Sequence, residues 1–251
     1  IRQRWDCGDT VEIEEKHTGK YGARGQTREK KRKATPEEIK KHNQWKRERD
    51  VRRLIKWNFR ERDYWITLTY PKDYRPTWEE MKDHAGKLVR KMREKYKKQG
   101  WTLKYIYRLA IGSRGGRHIH ILINRESNEK TATDLIITDL WEQQWGHGHV
   151  NFRTTYSEGG YKQLAEYLTK PLEEWEPDEV KRYHPSRNLI RKDPEVDEIK
   201  RRSLVDRDGK PRMPKAPKGY YVDPESIEVG INPITHYAYR HYTLIKIKKR
   251  E

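Results

Sequence analysis

Cysteine, phenylalanine and long apolar runs are scarce in this chain: one cysteine (Cys7), two phenylalanines and three methionines in 251 residues. One thiol excludes an internal disulfide framework and fits a reducing, cytoplasmic setting. No stretch approaches the length of a membrane span and no lipidation signal is present, so no membrane partner is expected. The phosphate-cradling pattern G-x-x-x-x-G-K-[ST] is missing, which argues against a built-in nucleotide-driven helicase. No repeat or heptad recurs. No secretory leader opens the sequence, and with isoleucine at position 1 some native N-terminal segment is expected to precede it.

Charge and large aromatics are abundant instead. Charged residues make up 38 % and hydrophobic residues 32 %, with a mean hydropathy of -1.28. That balance points to a compact centre with solvated arms. Nine tryptophans and 16 tyrosines supply core volume while keeping polar handles. Lys and Arg total 57 against 39 Asp and Glu, a net charge of +18. A surplus of that size attracts polyanions, of which nucleic acid is the commonest.

Residues 35–59 predict a charged helix, with Thr35 as N-cap, Pro36 at the first helical position and Glu38 completing a capping box. Before it, 10–22 suggest a hairpin and "RGQTREKKRK" a mobile basic stretch. "DYWITLTYP" (63–71) reads as a strand, and 77–100 as a helix capped by Thr77 and closed by Gly100. Strands at 102–112 and 117–124 flank the turn "GSRGG". A helix at 131–146, a strand at 147–154 and a helix at 157–171 follow. Residues 172–235 are rich in proline and charge, and the alternating "HYAYRHYTLIKIKKR" predicts a closing strand of the same sheet. The expected fold class is α+β, a largely antiparallel five-stranded sheet with helices on one side. A basic N-terminal arm (1–60), a core (61–171) and a loop-rich extension (172–251) divide the chain.

Within "GGRHIHILIN" (115–124), His118 and His120 share one strand face, while Ile119, Ile121 and Ile123 take the other. Cα atoms about 7 Å apart allow both imidazoles to lean onto one metal ion. A central strand seldom carries two polar rings unless something satisfies them, although two plain surface histidines remain the bland alternative. "HGH" (147–149) has the same spacing, but its glycine suggests a turn; a four-histidine site is a minor alternative. In the helix at 158–170, Tyr161, Leu164, Ala165 and Leu168 form the core stripe. Tyr167 lies off that stripe, with Gln163 a turn before it and Lys170 a turn after. A phenol with pKa near 10 needs a polarised electrophile or nearby cations to act as nucleophile; the alternative is a tyrosine that simply packs.

"WITLTYP", "GGRHIHILIN" and "LAEYLTKP", in that order over 63–171, resemble the HUH endonuclease superfamily, in particular rolling-circle replication initiators of phages and plasmids. The resemblance implies a bound Mg²⁺ or Mn²⁺ and nicking of single-stranded DNA at an origin or hairpin. It also implies a covalent 5′-phosphotyrosine and a free 3′-hydroxyl. His118 and His120 become metal ligands, Tyr167 the nucleophile and Lys170 its helper; with Gln163 where relatives carry a second tyrosine, this looks like a single-tyrosine enzyme. Many relatives add a carboxylate from the strand before the histidines, where this chain has Ala110 and Ile111. Gln163 is the substitute third ligand, with Glu142 and Glu166 as poorer ones. Arg114 and Arg117 are placed to meet the DNA backbone, and a host replication helicase is a candidate partner. A single-tyrosine transposase of the same superfamily, or a non-catalytic module stacking on unpaired bases, are the alternatives.

Overall fold

The computed structural model describes residues 1–17, 33–156, 158–177, 181–232 and 236–247. In chain order the strands and helices are β1 (Arg2–Asp6), β2 (Thr10–Lys16), α1 (Pro36–Asn58), β3 (Tyr64–Thr69) and α2 (Trp78–Lys98). Next come β4 (Tyr105–Ile111), β5 (Arg117–Ile123), α3 (Thr133–Thr138), β6 (Val150–Thr154), α4 (Lys162–Thr169) and β7 (His184–Pro185). The chain closes with β8 (Glu195–Asp197), α5 (Arg201–Leu204), β9 (Tyr220–Val222), β10 (Glu228–Ile231) and β11 (Ala238–Lys246). Two compact units result, one of residues 1–43 with 191–251 and one of 44–190. The division therefore falls inside α1 and after β7, not at 60/61 and 171/172. Most of the expected mobile basic stretch, residues 24–32, lies outside the described residues.

The 44–190 unit is built on an antiparallel sheet of order β6-β3-β5-β4-β7. Alternation sorts its side chains into two faces. Ile66, Leu68, Leu109, Ile119, Ile121 and Ile123 point one way and pack on Met81, Ala85, Leu88 and Met92 of α2 and on Ile137 and Trp141. Ile106 and Leu122 point the other way and meet Leu54 and Ile55 of α1 and Ala165 and Leu168 of α4. Helices thus cover both faces, not one as the sequence suggested, because the narrow apolar stripe of α1 and the stripe of α4 need a sheet face of their own. Truncating Leu168, which is fully buried, to alanine would cost about 2–5 kcal/mol.

Both predicted capping boxes form. The Thr77 hydroxyl accepts from the Glu80 N–H while Glu80 accepts from the Thr77 N–H, and Thr35 and Glu38 exchange the same two bonds. The helix expected over 131–146 is α3 continued by a π-helical turn, Asp139–Gln144. There Glu142 accepts the Val150 N–H at 2.7 Å and so starts β6. Between them Gly148, at φ +133°, passes so close to the Thr69 carbonyl that any Cβ would collide with it.

Two strand expectations need correction. β2 does not fold back on itself within 10–22; it pairs with β1, and residues 18–22 lie outside the described ones. The closing strand β11 does not join the sheet that carries His118 and His120. It pairs with β2, β9 and β10 in a second antiparallel sheet of order β10-β11-β2-β1-β8. That sheet packs Val11, Ile13, Tyr242 and Leu244 into its own core and buries Glu15 between Arg2 and Arg240. Alternation signals a strand but not its partner. The fifth strand of the histidine sheet is instead the two-residue β7, pairing with Ile106 and Tyr107; its proline suits an edge.

Candidate active site

Register places the histidines in two cross-strand rows. Thr67, His120 and Arg108 lie side by side across β3, β5 and β4, and Thr69, His118 and Ala110 form the next row. All six project to the face covered by α1 and α4. The two imidazole centroids are 5.3 Å apart. His120 is 9 % exposed, with Nδ1 3.1 Å from Thr67 Oγ1 and its ring parallel to Trp65, centroids 5.5 Å apart. His118 lies over Gly112 and Gly116 at the end of the β4–β5 hairpin.

The chain enters α4 through left-handed backbone at Gly160 and Tyr161, whose ring is buried with Ala165 and Leu168. That anchors one face of α4 and turns Tyr167 toward the sheet, its ring edge-on to Trp65 at 5.6 Å. Tyr167 is 39 % exposed, and its hydroxyl is 2.5 Å from His120 Nε2. The sequence-predicted nucleophile and one sequence-predicted ligand therefore touch.

Burial pushes the His120 ring down to about 3, reinforced by His118 and Arg108. Burial also lowers His118, against a backbone hydrogen bond and Glu176. Both imidazoles are consequently neutral near pH 7, the form that binds metal. Burial raises the Tyr167 phenol, opposed by Arg108 and assisted by Glu176. With a neutral His120, the shortest assignment has the phenol donating to Nε2 and Nδ1–H donating to Thr67.

The other sequence candidates sit differently. Lys170 is the C-cap of α4 with extended backbone, so the helical spacing to Tyr167 is broken and its ammonium pairs with Glu173 rather than with the phenol. Gln163 is exposed, and no hydrogen bond among the described residues joins it to either imidazole. Glu166 is exposed as well, and Glu142 is taken up at the start of β6. Arg117 is tied to the backbone of Pro76 and Gly115; Arg114 is exposed on the same turn, its carbonyl accepting from Arg75. His147 does not join the pair: it stacks on His84 of α2, centroids 4.1 Å apart, beside Trp141. A four-histidine site is thereby excluded.

Among the described residues no group of three or more His, Cys, Asp or Glu is arranged to hold a metal ion. Two neutral imidazoles on one face still fit a divalent ion that accepts nitrogen donors and completes its shell with water or phosphate oxygens, which suits Mn²⁺ better than Mg²⁺.

Sequence reasoning missed Arg108 and Glu176. Arg108, 3 % exposed, pairs with Glu176 at 3.5 Å. Glu176 also accepts the N–H groups of Ile111 and Glu173. A charged residue inside the apolar "YIYRLAI" was the available signal, since a buried guanidinium demands acceptors.

Residues 63–172, less than half of the chain, match the model of a family described as Replication-associated protein, of the ORF2 type. The matched segment runs from the start of β3 to just past α4 and contains His118, His120, Tyr167 and Lys170. No curated protein and no solved structure matches the chain significantly. No helix among the described residues is long and apolar enough to cross a membrane.

Proposed function

We propose that the 44–190 unit nicks and rejoins single-stranded DNA as a replication initiator, through a covalent bond between Tyr167 and a 5′-phosphate. The observation that carries this reading is the 2.5 Å contact between the Tyr167 hydroxyl and His120 Nε2, on a segment that resembles a replication-associated family. Tyr167 Oη forms a bond to phosphorus as the bond from phosphorus to the 3′-oxygen breaks. The phenol proton passes to solvent and the 3′-oxygen gains one, so the bond's energy is kept for rejoining.

His118 and His120 would hold the ion, which when bound polarises the scissile phosphate. Trp65 and Thr67 fix the His120 ring from its face and from Nδ1. The net charge of +18 supplies the pull on the DNA backbone. Cytoplasmic DNA of a phage or plasmid is the setting, and an origin hairpin the substrate.

The test is incubation with single-stranded origin oligonucleotides and Mn²⁺, followed by denaturing electrophoresis. A denaturation-resistant adduct that chelator prevents and Tyr167→Phe abolishes is expected; equal adduct from Tyr167→Phe overturns the assignment. Because the phenol and an ion compete for one lone pair on Nε2, Tyr167→Phe should also bind Mn²⁺ about fivefold more tightly, the worth of about one hydrogen bond. Calorimetric titration without DNA measures this.

A further inference from the structure

α4 has only eight residues, and a helix that short owes its position to what holds its ends. Its C-terminal carbonyls are held by two guanidiniums. Arg108 Nη1 donates to the carbonyls of Lys170 at 2.7 Å, Tyr167 at 3.2 Å and Leu168 at 3.4 Å. Arg182 Nη1 donates to the Thr169 carbonyl at 3.1 Å and is steadied by Gln44, which reaches the same carbonyl at 3.1 Å. Every carbonyl from 167 to 170 is thus taken by an arginine, where cations suit the helix dipole.

Arg108 does this from β4, one position across from His120, so the sheet row that carries a candidate ligand also fixes the helix that carries the phenol. Glu176 closes the arrangement. It pairs with Arg108 and accepts the Ile111 N–H at 3.2 Å, while Trp175 Nε1 donates to the Ile111 carbonyl at 2.8 Å. The segment after α4 is thereby pinned along the stretch of β4 that β7 leaves unpaired.

We propose that Arg108, held by Glu176, is a positioning residue for the strand-transfer reaction: it ties the C-terminal end of α4 to β4 and so sets the Tyr167 hydroxyl against the histidine pair. The inference rests on the nicking reading above and names a residue for it that does not touch the reacting atoms.

Single-turnover adduct formation separates positioning from simple folding, because the final amplitude counts competent molecules while the rate reads their geometry. Tyr167→Phe serves as the blank, and single-stranded DNA affinity is measured in parallel. Arg108→Gln should lower the rate about 100-fold, the scale of a misplacement of about 1 Å, with amplitude and affinity within about threefold of the parent. Arg108→Lys should recover part of the rate, since an ammonium reaches fewer of the carbonyls. Glu176→Gln keeps the shape and the bond to Ile111 but loses the charge, and should slow the reaction about tenfold. If Arg108→Gln does not fold, Glu176→Gln decides alone. Rates within threefold of the parent in the folded variants, or losses only in amplitude, overturn the positioning role and leave the nicking reading intact. A parent that forms no adduct sinks the nicking reading and this inference with it.

Discussion

Two pairs of histidines meet in this protein, and their surroundings differ more than their chemistry. His118 and His120 come from one strand and face a tyrosine hydroxyl. His84 and His147 come from a helix and a loop and stack on each other beside Trp141 and Tyr70. Burial keeps all four neutral near pH 7, His120 down to about 3 and His147 to about 4. Neutrality alone therefore does not mark a site. Direction does: His120 aims a ring nitrogen at a hydroxyl in a half-open position, whereas His147 Nε2 is buried with no hydrogen-bond partner.

That contrast can be broken most sharply by paired alanine substitutions. His120→Ala should lower adduct formation by about 100-fold or more, the scale of losing a reacting-centre interaction, while folding is retained. His147→Ala should leave the rate within about threefold and lower the melting temperature instead, since it removes only packing. Equal losses of activity from both would erase the distinction.

A smaller effect separates the pairs from the rest of the chain by pH. Every resolved shift among these histidines, and that of His184, is downward and dominated by burial. Between the folded-state values and about 6.5 the unfolded chain binds protons that the folded unit does not. The stability they contribute is present above about pH 6.5 and lost as pH falls, His147 and His120 continuing to matter toward pH 4 and 3. Denaturant unfolding of the full chain at pH 7 and pH 5 should show the lower value at pH 5, and His147→Phe should narrow the gap.

The core of the site was legible in sequence where side-chain period alone decides the answer. Strand alternation put His118 and His120 on one face and Ile119, Ile121 and Ile123 on the other, and helical spacing put Tyr167 off the stripe of Leu164, Ala165 and Leu168. Caps at Thr35 and Thr77 were readable because each bond is made within four residues. What failed depended on distant partners. β11 alternates correctly but pairs with β2, and the fifth strand of the histidine sheet is a two-residue segment with no periodicity to detect. Lys170 was placed by helical spacing that its own extended backbone ends. Arg108 and Glu176 escaped because their pairing joins a strand to a segment with no regular structure, which no local pattern encodes.

The account turns on which atom takes the phosphate. The most direct measurement is mass mapping of peptides from the adduct formed with single-stranded DNA and Mn²⁺. A nucleotide phosphate on the peptide containing Tyr167, carried by the phenol, is the predicted result. A nucleotide on any other tyrosine, or tight binding with no covalent product at all, would contradict it.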